Sequence, residues 1–189
     1  PESAVATYRS DKAHFGELTP ITWAGRELPP AGEEIEDEES TEALLDIASV
    51  WAQQSNGTSA ATVVEGSAEA AIAALGHTEC RGAELSGIEA FERLAWAAAS
   101  GGAYGRRRGA PIGRFAAWWL VAALSDLGWP ATGQDVERAI AELRWVMWEP
   151  LDFTGGWNAS VAIESTAEGM SWALHAVDSY RDEDVLSEG

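Results

Sequence analysis

Along the chain the spacing of apolar residues switches between two periods, and the switches mark the elements. Leu44, Ile47, Ala48 and Trp51 recur at helical spacing, with Ser40 or Thr41 placed to cap the helix and Asn56-Gly57 to end it. Thr62, Val63 and Val64 centre a short strand over 60–65. Ser67 can cap a second helix that runs to Leu75 and stops at Gly76. Ser86 starts a third, with Ile88, Phe91, Leu94 and Ala95 as its buried stripe and Ala99 as its end. Pro111 suits the first turn of a fourth, because its missing N–H needs no partner there. From 115 to 124 that helix is apolar on every side, which predicts a central, buried element.

Gly128, Pro130 and Gly133 interrupt the pattern, and Thr132 or Asp135 can cap a short helix through Val136 and Ile140 toward Leu143. Period two then takes over. Residues 144–148 read as a strand with Trp145 and Trp148 on opposite faces. Trp157, Ala159, Val161 and Ile163 alternate with Asn158, Ser160 and Glu164, as in a half-buried antiparallel strand. Together they predict a hairpin over 143–164, with Trp157, Val161 and Ile163 facing the core. Met170, Ala173, Leu174 and Val177 return to helical spacing and predict a final amphipathic helix. Ahead of these elements, 1–32 read as loop with strand composition at 18–23. The sum is an α+β fold: a mostly helical domain with a central apolar helix and a small antiparallel sheet, spanning 1–189 as one domain.

Charge narrows the function classes. Thirty-one acidic against 12 basic residues give a formal net charge of -19. The acid is densest at 33–39, read as a solvated loop, and in the tail at 182–189. Such a chain lacks the broad basic surface that nucleic acid requires, and it favours a basic protein partner or a homo-oligomer joined through a complementary patch. The 10 tryptophans are expected mainly in the core. Cys80 is the only cysteine, so no intramolecular disulfide is expected. The first twenty residues hold no apolar run, so no signal peptide is expected. The longest apolar run, 115–124, falls short of the roughly 18 residues of a membrane span. A cytoplasmic protein without a membrane partner is the expectation.

One window departs from the acidic background. Between Arg93 and Ser125 there is no acidic residue. Inside it, Gly101-Gly102-Ala103-Tyr104-Gly105-Arg106-Arg107-Arg108-Gly109 leads through Pro111 to Gly113-Arg114-Phe115. Converging backbone N–H groups, a helix N-terminus and guanidinium forks are the means by which proteins hold oxyanions. The stretch has neither the Gly-Lys-Ser/Thr ending of a P-loop nor the preceding strand of a dinucleotide fingerprint. Its positive charge is to be met by the protein's own carboxylates, by a second subunit or by an external anion. Arg106, Arg107, Arg108, Arg114 and Tyr104 are therefore the candidate ligand- or partner-binding residues.

Other chemistry is sparse. His77-Thr78-Glu79-Cys80 is a lone His-x-x-Cys without the second pair zinc needs, so it reads as a surface loop. Cys80 with His77 as base carries no nucleophile signature, and no Gly-x-Ser-x-Gly elbow is present. No metal, cofactor or catalytic residue is expected. The reading is a non-catalytic interaction protein, immunity- or antitoxin-like or an assembly subunit. The alternative is an enzyme or sensor that binds a phosphate- or carboxylate-bearing ligand at 101–114.

Three stretches carry a resemblance. They are Ala98-Ala99-Ser100 with the glycine–arginine stretch and Gly113-Arg114-Phe115, then Glu142-Leu143-Arg144-Trp145, and Ala167-Glu168-Gly169-Met170-Ser171-Trp172-Ala173-Leu174. Over roughly the C-terminal half the chain resembles an uncharacterised family of actinobacterial proteins, a domain of unknown function. The resemblance implies a bacterial cytosolic origin and directs attention to the arginine loop; it carries no assigned activity.

Overall fold

The computed structural model describes residues 18–180, so the acidic tail expected at 182–189, and Lys12 and His14 near the start, lie outside the described residues. The fold is α+β. Its strands are β1 (Ala24–Glu27), β2 (Thr58–Glu65), β3 (Glu79–Leu85), β4 (Arg144–Glu149), β5 (Trp157–Asn158), β6 (Val161–Ser165) and β7 (Met170–Asp178). Its helices are α1 (Glu38–Ile47), α2 (Ser49–Gln54), α3 (Ala68–Ala74), α4 (Gly87–Ala99), α5 (Ala110–Leu124) and α6 (Gly133–Glu142). The strands form one antiparallel sheet in the order β1-β3-β4-β6-β7-β2, with β5 paired to the far end of β7. This seven-stranded sheet is larger than the small one the sequence pattern suggested, and the described chain is not mostly helical.

Strand alternation sorts the core into two layers. Trp145, Ile163, Trp172 and Val63 stand opposite one another across β4, β6, β7 and β2, and all face the helices other than α3. Val146, Trp148, Ala162, Ala173 and Val64 face the other way, against Ala68, Ala71 and Ile72 of α3. The expected hairpin is present in part: Trp145 pairs with Ile163 and Met147 with Val161, and Val161 and Ile163 are fully buried on the helix side. Trp157, however, belongs to the separate strand β5, which pairs with β7 instead of β4, and is only partly buried against the core. Trp145 and Trp148 lie on opposite faces as their spacing required.

Local capping chemistry fixes several helix starts. Ser67 accepts from the Ala70 amide, and Thr132 from the Asp135 amide. Ser86 and Glu89 form a complete capping box. The first helix differs, because Asp37 rather than Ser40 or Thr41 accepts the capping amide. The run at 33–39 is also not a free solvated loop. Ile35 donates to the Val63 carbonyl at 2.9 Å and the Glu65 amide donates to Glu33 at 2.8 Å, so the run lies along the edge of β2.

Three further expectations are corrected. The final helix is instead strand β7. Trp172, Leu174 and Ala176 face the helices while Ser171 and Ala173 are buried toward the opposite side, so burial on both faces erases the period-two signal. The surface loop expected around Cys80 is the start of β3, with Cys80 fully buried. Helix α5 is not enclosed on all sides: Leu120 and Val121 are buried, whereas Phe115 is 56% exposed and Ile112 44%. On α4 the buried face is Ala90, Leu94 and the alanines at 95 and 97–99, with Ile88 turned to solvent.

Candidate functional site

The glycine–arginine loop leaves α4 and is held mainly by groups of this chain. Ser100 anchors its start, accepting the indole N–H of fully buried Trp51 at 2.9 Å. The Ala103 amide donates to the buried carboxylate of Asp178, at the end of β7, at 2.7 Å. A Cβ on Gly102 would stand 2.0 Å from that same carboxylate oxygen, and its φ is +63°. Glycine here lets the backbone close onto an internal anion. The Gly105 amide closes a turn onto the Gly101 carbonyl, and the Arg108 and Gly109 amides both donate to the Ala99 carbonyl.

The loop's side chains lie apart in their surroundings. Arg108 reaches α1 and α2, pairing with Asp46 at 3.3 Å and donating to the Ser49 hydroxyl at 3.2 Å. Tyr104 is exposed and meets Tyr180 edge-on at 5.5 Å, and its amide donates to Ser55. Arg106 is exposed, its amide donating to Gln54. Arg106, Arg107 and Arg108 line a concavity of about 600 Å³ together with Ser49, Gln53 and Gln54. Arg114 is exposed on the first turns of α5 and does not line that concavity.

Beside it lies a groove that the sequence reading did not single out. Ile112, Phe115 and Trp119 recur at i, i+3 and i+7 and form a partly exposed apolar stripe on α5. Trp129, 53% exposed in the segment after α5, turns its ring edge-to-face to Trp119 at 5.3 Å and to Phe115 at 5.8 Å. Glu39, Glu42 and Asp46 recur at i, i+3 and i+7 on α1 and line the same concavity of about 670 Å³. Both repeats were available in the sequence. An apolar run on all sides of α5 concealed which of its residues stay exposed.

Two other clusters hold the sheet. Arg144 of β4 is paired with Glu69, Glu84 and Glu164, and Arg26 of β1 also binds Glu69 at 2.8 Å. The Arg144 hydrogen bonds are the main reason the Glu69 carboxyl is pulled down from 4.5 to about 2. On the α3 side of the sheet, His175 stacks on Trp148 and His77 packs against both. Burial pushes both histidines below their ordinary value. Cys80 lies in the layer under α3, its thiol pushed up by burial. Among the described residues no cluster of His, Cys, Asp and Glu could hold a metal ion, and no helix is long and apolar enough to cross a membrane.

No curated protein and no solved structure matches the chain. A family model does, over residues 3–178, well beyond the C-terminal half that carries the motifs. The chain therefore belongs to the family of unknown function DUF6183.

Proposed function

We propose that this chain is a non-catalytic, acidic protein-interaction protein of the bacterial cytoplasm, immunity- or antitoxin-like or a subunit of an assembly, that engages a basic partner. The observation that carries this reading is the exposed aromatic groove of Phe115, Trp119 and Trp129, bordered by the carboxylates of α1, on a chain of net charge -19. Exposed aromatic surface next to charge is the composition of a protein interface, and the overall field would draw in a basic partner from a distance. Affinity purification from the native host at low and high salt tests it. The expected product is a specific chain rich in Lys and Arg, whose purified form binds with an affinity that falls as ionic strength rises. Recovery of only neutral or acidic chains, or binding indifferent to salt, would overturn it.

A second reading is favoured by the concavity of Arg106, Arg107 and Arg108 with Ser49, Gln53 and Gln54. Asp46 also lines it and is paired with Arg108, so the guanidinium of Arg106 beside Gln53 and Gln54 is the part that suits a phosphate- or carboxylate-bearing ligand. Under this reading, inorganic phosphate or a nucleotide raises the melting temperature by mass action, and Arg106→Ala with Arg107→Ala removes the shift.

A further inference from the structure

The aromatic groove has three properties that together restrict what can fill it. First, its rings stand at large angles to one another: Trp129 makes interplanar angles of 84° with Phe115 and 76° with Trp119. A side chain entering beside Trp129 therefore meets ring faces in more than one plane. Second, the wall opposite the rings is acidic. Asp46 is already paired with Arg108, while Glu39 and Glu42, two turns and one turn back along α1, meet no cation among the described residues. Third, the positive groups of the loop stand at the Asp46 end, so the groove runs from basic to acidic along its length.

An uncharged apolar occupant would cover the rings but strip water from Glu39 and Glu42 without replacing it, which is costly. An acidic occupant would be repelled by them. A cation satisfies both walls, because the ring faces carry negative quadrupole potential and the carboxylates carry full charge. Between the two cationic side chains, arginine fits better. Its planar guanidinium stacks on an aromatic face and still offers a fork of N–H donors to a carboxylate, whereas an ammonium acts as a compact, strongly hydrated point charge. A second copy of this chain is disfavoured by net charge, since two molecules at -19 repel.

We propose that the groove between α1 and α5 docks a basic protein segment and seats one of its arginine side chains against Trp129, Trp119 and Phe115, beneath Glu39 and Glu42. This rests on the interaction reading above and names the chemistry its site recognises.

The test is a titration of the full chain, followed by tryptophan fluorescence, with a short glycine-spaced arginine peptide. Versions with lysine or with uncharged citrulline replacing arginine run beside it. The arginine peptide is expected to bind, lysine to bind several-fold more weakly, and citrulline to lose at least about tenfold. Trp129→Ala and the pair Glu39→Gln with Glu42→Gln should each weaken the arginine peptide about tenfold. The pair Glu27→Gln with Glu168→Gln removes the same charge from exposed positions elsewhere and should change it less than about twofold. Equal losses in the groove pair and the remote pair would reduce the effect to general acidity and overturn the proposal. Equal binding of the citrulline peptide would make the groove merely apolar and overturn it too. So would light scattering showing a stable dimer that Trp129→Ala dissolves, because a second copy would then be the occupant. If a basic partner recovered from the host binds the groove variants as well as the parent chain, the arginine seat fails while the interaction reading stands. If no basic partner binds at all, the reading itself fails.

Discussion

Arg144 lays both terminal guanidinium nitrogens across the carboxylate of Glu69, with hydrogen bonds of 2.8 and 3.0 Å. That fork joins β4 to the first turn of α3. Glu164 of β6 completes the clasp, accepting from Arg144 at 2.8 Å and from the Ala68 amide at the start of α3 at 3.1 Å. Removing the arginine would leave carboxylates that are less than a fifth exposed facing one another. Arg144→Ala is therefore expected to cost about 2–4 kcal/mol, somewhat below a fully buried pair because the arginine keeps some contact with water. Chemical denaturation measures it. A loss under about 0.5 kcal/mol would place the pair with ordinary surface ion pairs.

The same clasp sets an acid limit. The Glu69 carboxyl is held at about 2 in the folded chain against 4.5 ordinarily, so its contribution is complete above 4.5 and is lost as pH falls through about 2. At about 1.4 kcal/mol for each pH unit of the difference, the contribution at neutral pH is on the order of 3 kcal/mol. Stability measured from pH 5 downward should fall less steeply in Glu69→Gln than in the parent chain. Parallel slopes would show that other carboxylates govern acid unfolding.

Gly113 sits where α5 crosses α4. A Cβ there would stand 2.1 Å from the Ala95 carbonyl oxygen and 2.7 Å from the Ala99 side chain. In an isolated helix Gly→Ala gains about 1 kcal/mol. Here the obstacle is backbone, so the helices must separate, at a cost of about 1–3 kcal/mol or more from overpacking. Gly113→Ala is expected to be net destabilising, while Gly133→Ala, whose nearest neighbour would be 3.7 Å away, should be neutral or stabilising. Thermal melts of the two variants decide the matter.

Features fixed by neighbours in sequence were legible before the fold was known. The caps at Ser67, Ser86 and Thr132 each need only an amide three residues on. Strand β6 declared itself because Glu164 kept a polar position in its alternation, whereas Asn158, read as part of the same strand, belongs to β5 and pairs with β7. Strand β7 did not, because Ser171 and Ala173 are buried under the α3 side and no polar row remains to mark the period. The candidate site shows the same division. Glycine and arginine marked the loop, but its partners Asp46 and Asp178 come from α1 and β7, and nothing in the local pattern announces them. The aromatic groove was hidden for a related reason: Trp129 joins Phe115 and Trp119 only once the segment after α5 folds back.

Cys80 should behave as an inert core residue. It is fully buried in β3 under α3, and burial pushes its thiol above the ordinary value, so little reactive thiolate forms at neutral pH. A thiol reagent at pH 8 is expected to label the folded chain slowly and the denatured chain at once, with labelling in denaturant following the unfolding curve. Rapid labelling of the native chain would show that the α3 layer opens readily.

The paired histidines set a second limit, closer to neutrality. His175 stacks on Trp148 at 5.1 Å, meets His77 at 5.4 Å, and has the Ser160 hydroxyl 3.1 Å from its Nδ1. Burial pushes both rings down; His77 lowers His175 further, and Asp152 opposes the shift on each without cancelling it. The folded chain therefore keeps these rings neutral at pH values where the unfolded chain protonates them. Their contribution is complete above about 6.5 and is lost as pH falls below it through the folded values. Lowering pH from 7.5 to 5.5 should reduce the melting temperature, with each histidine adding up to about one proton bound on unfolding. His175→Gln keeps a polar group near Ser160 but cannot titrate, and it should flatten this dependence. A parent chain whose melting temperature is level across that interval would mean that water reaches the two rings and they protonate without opening the fold.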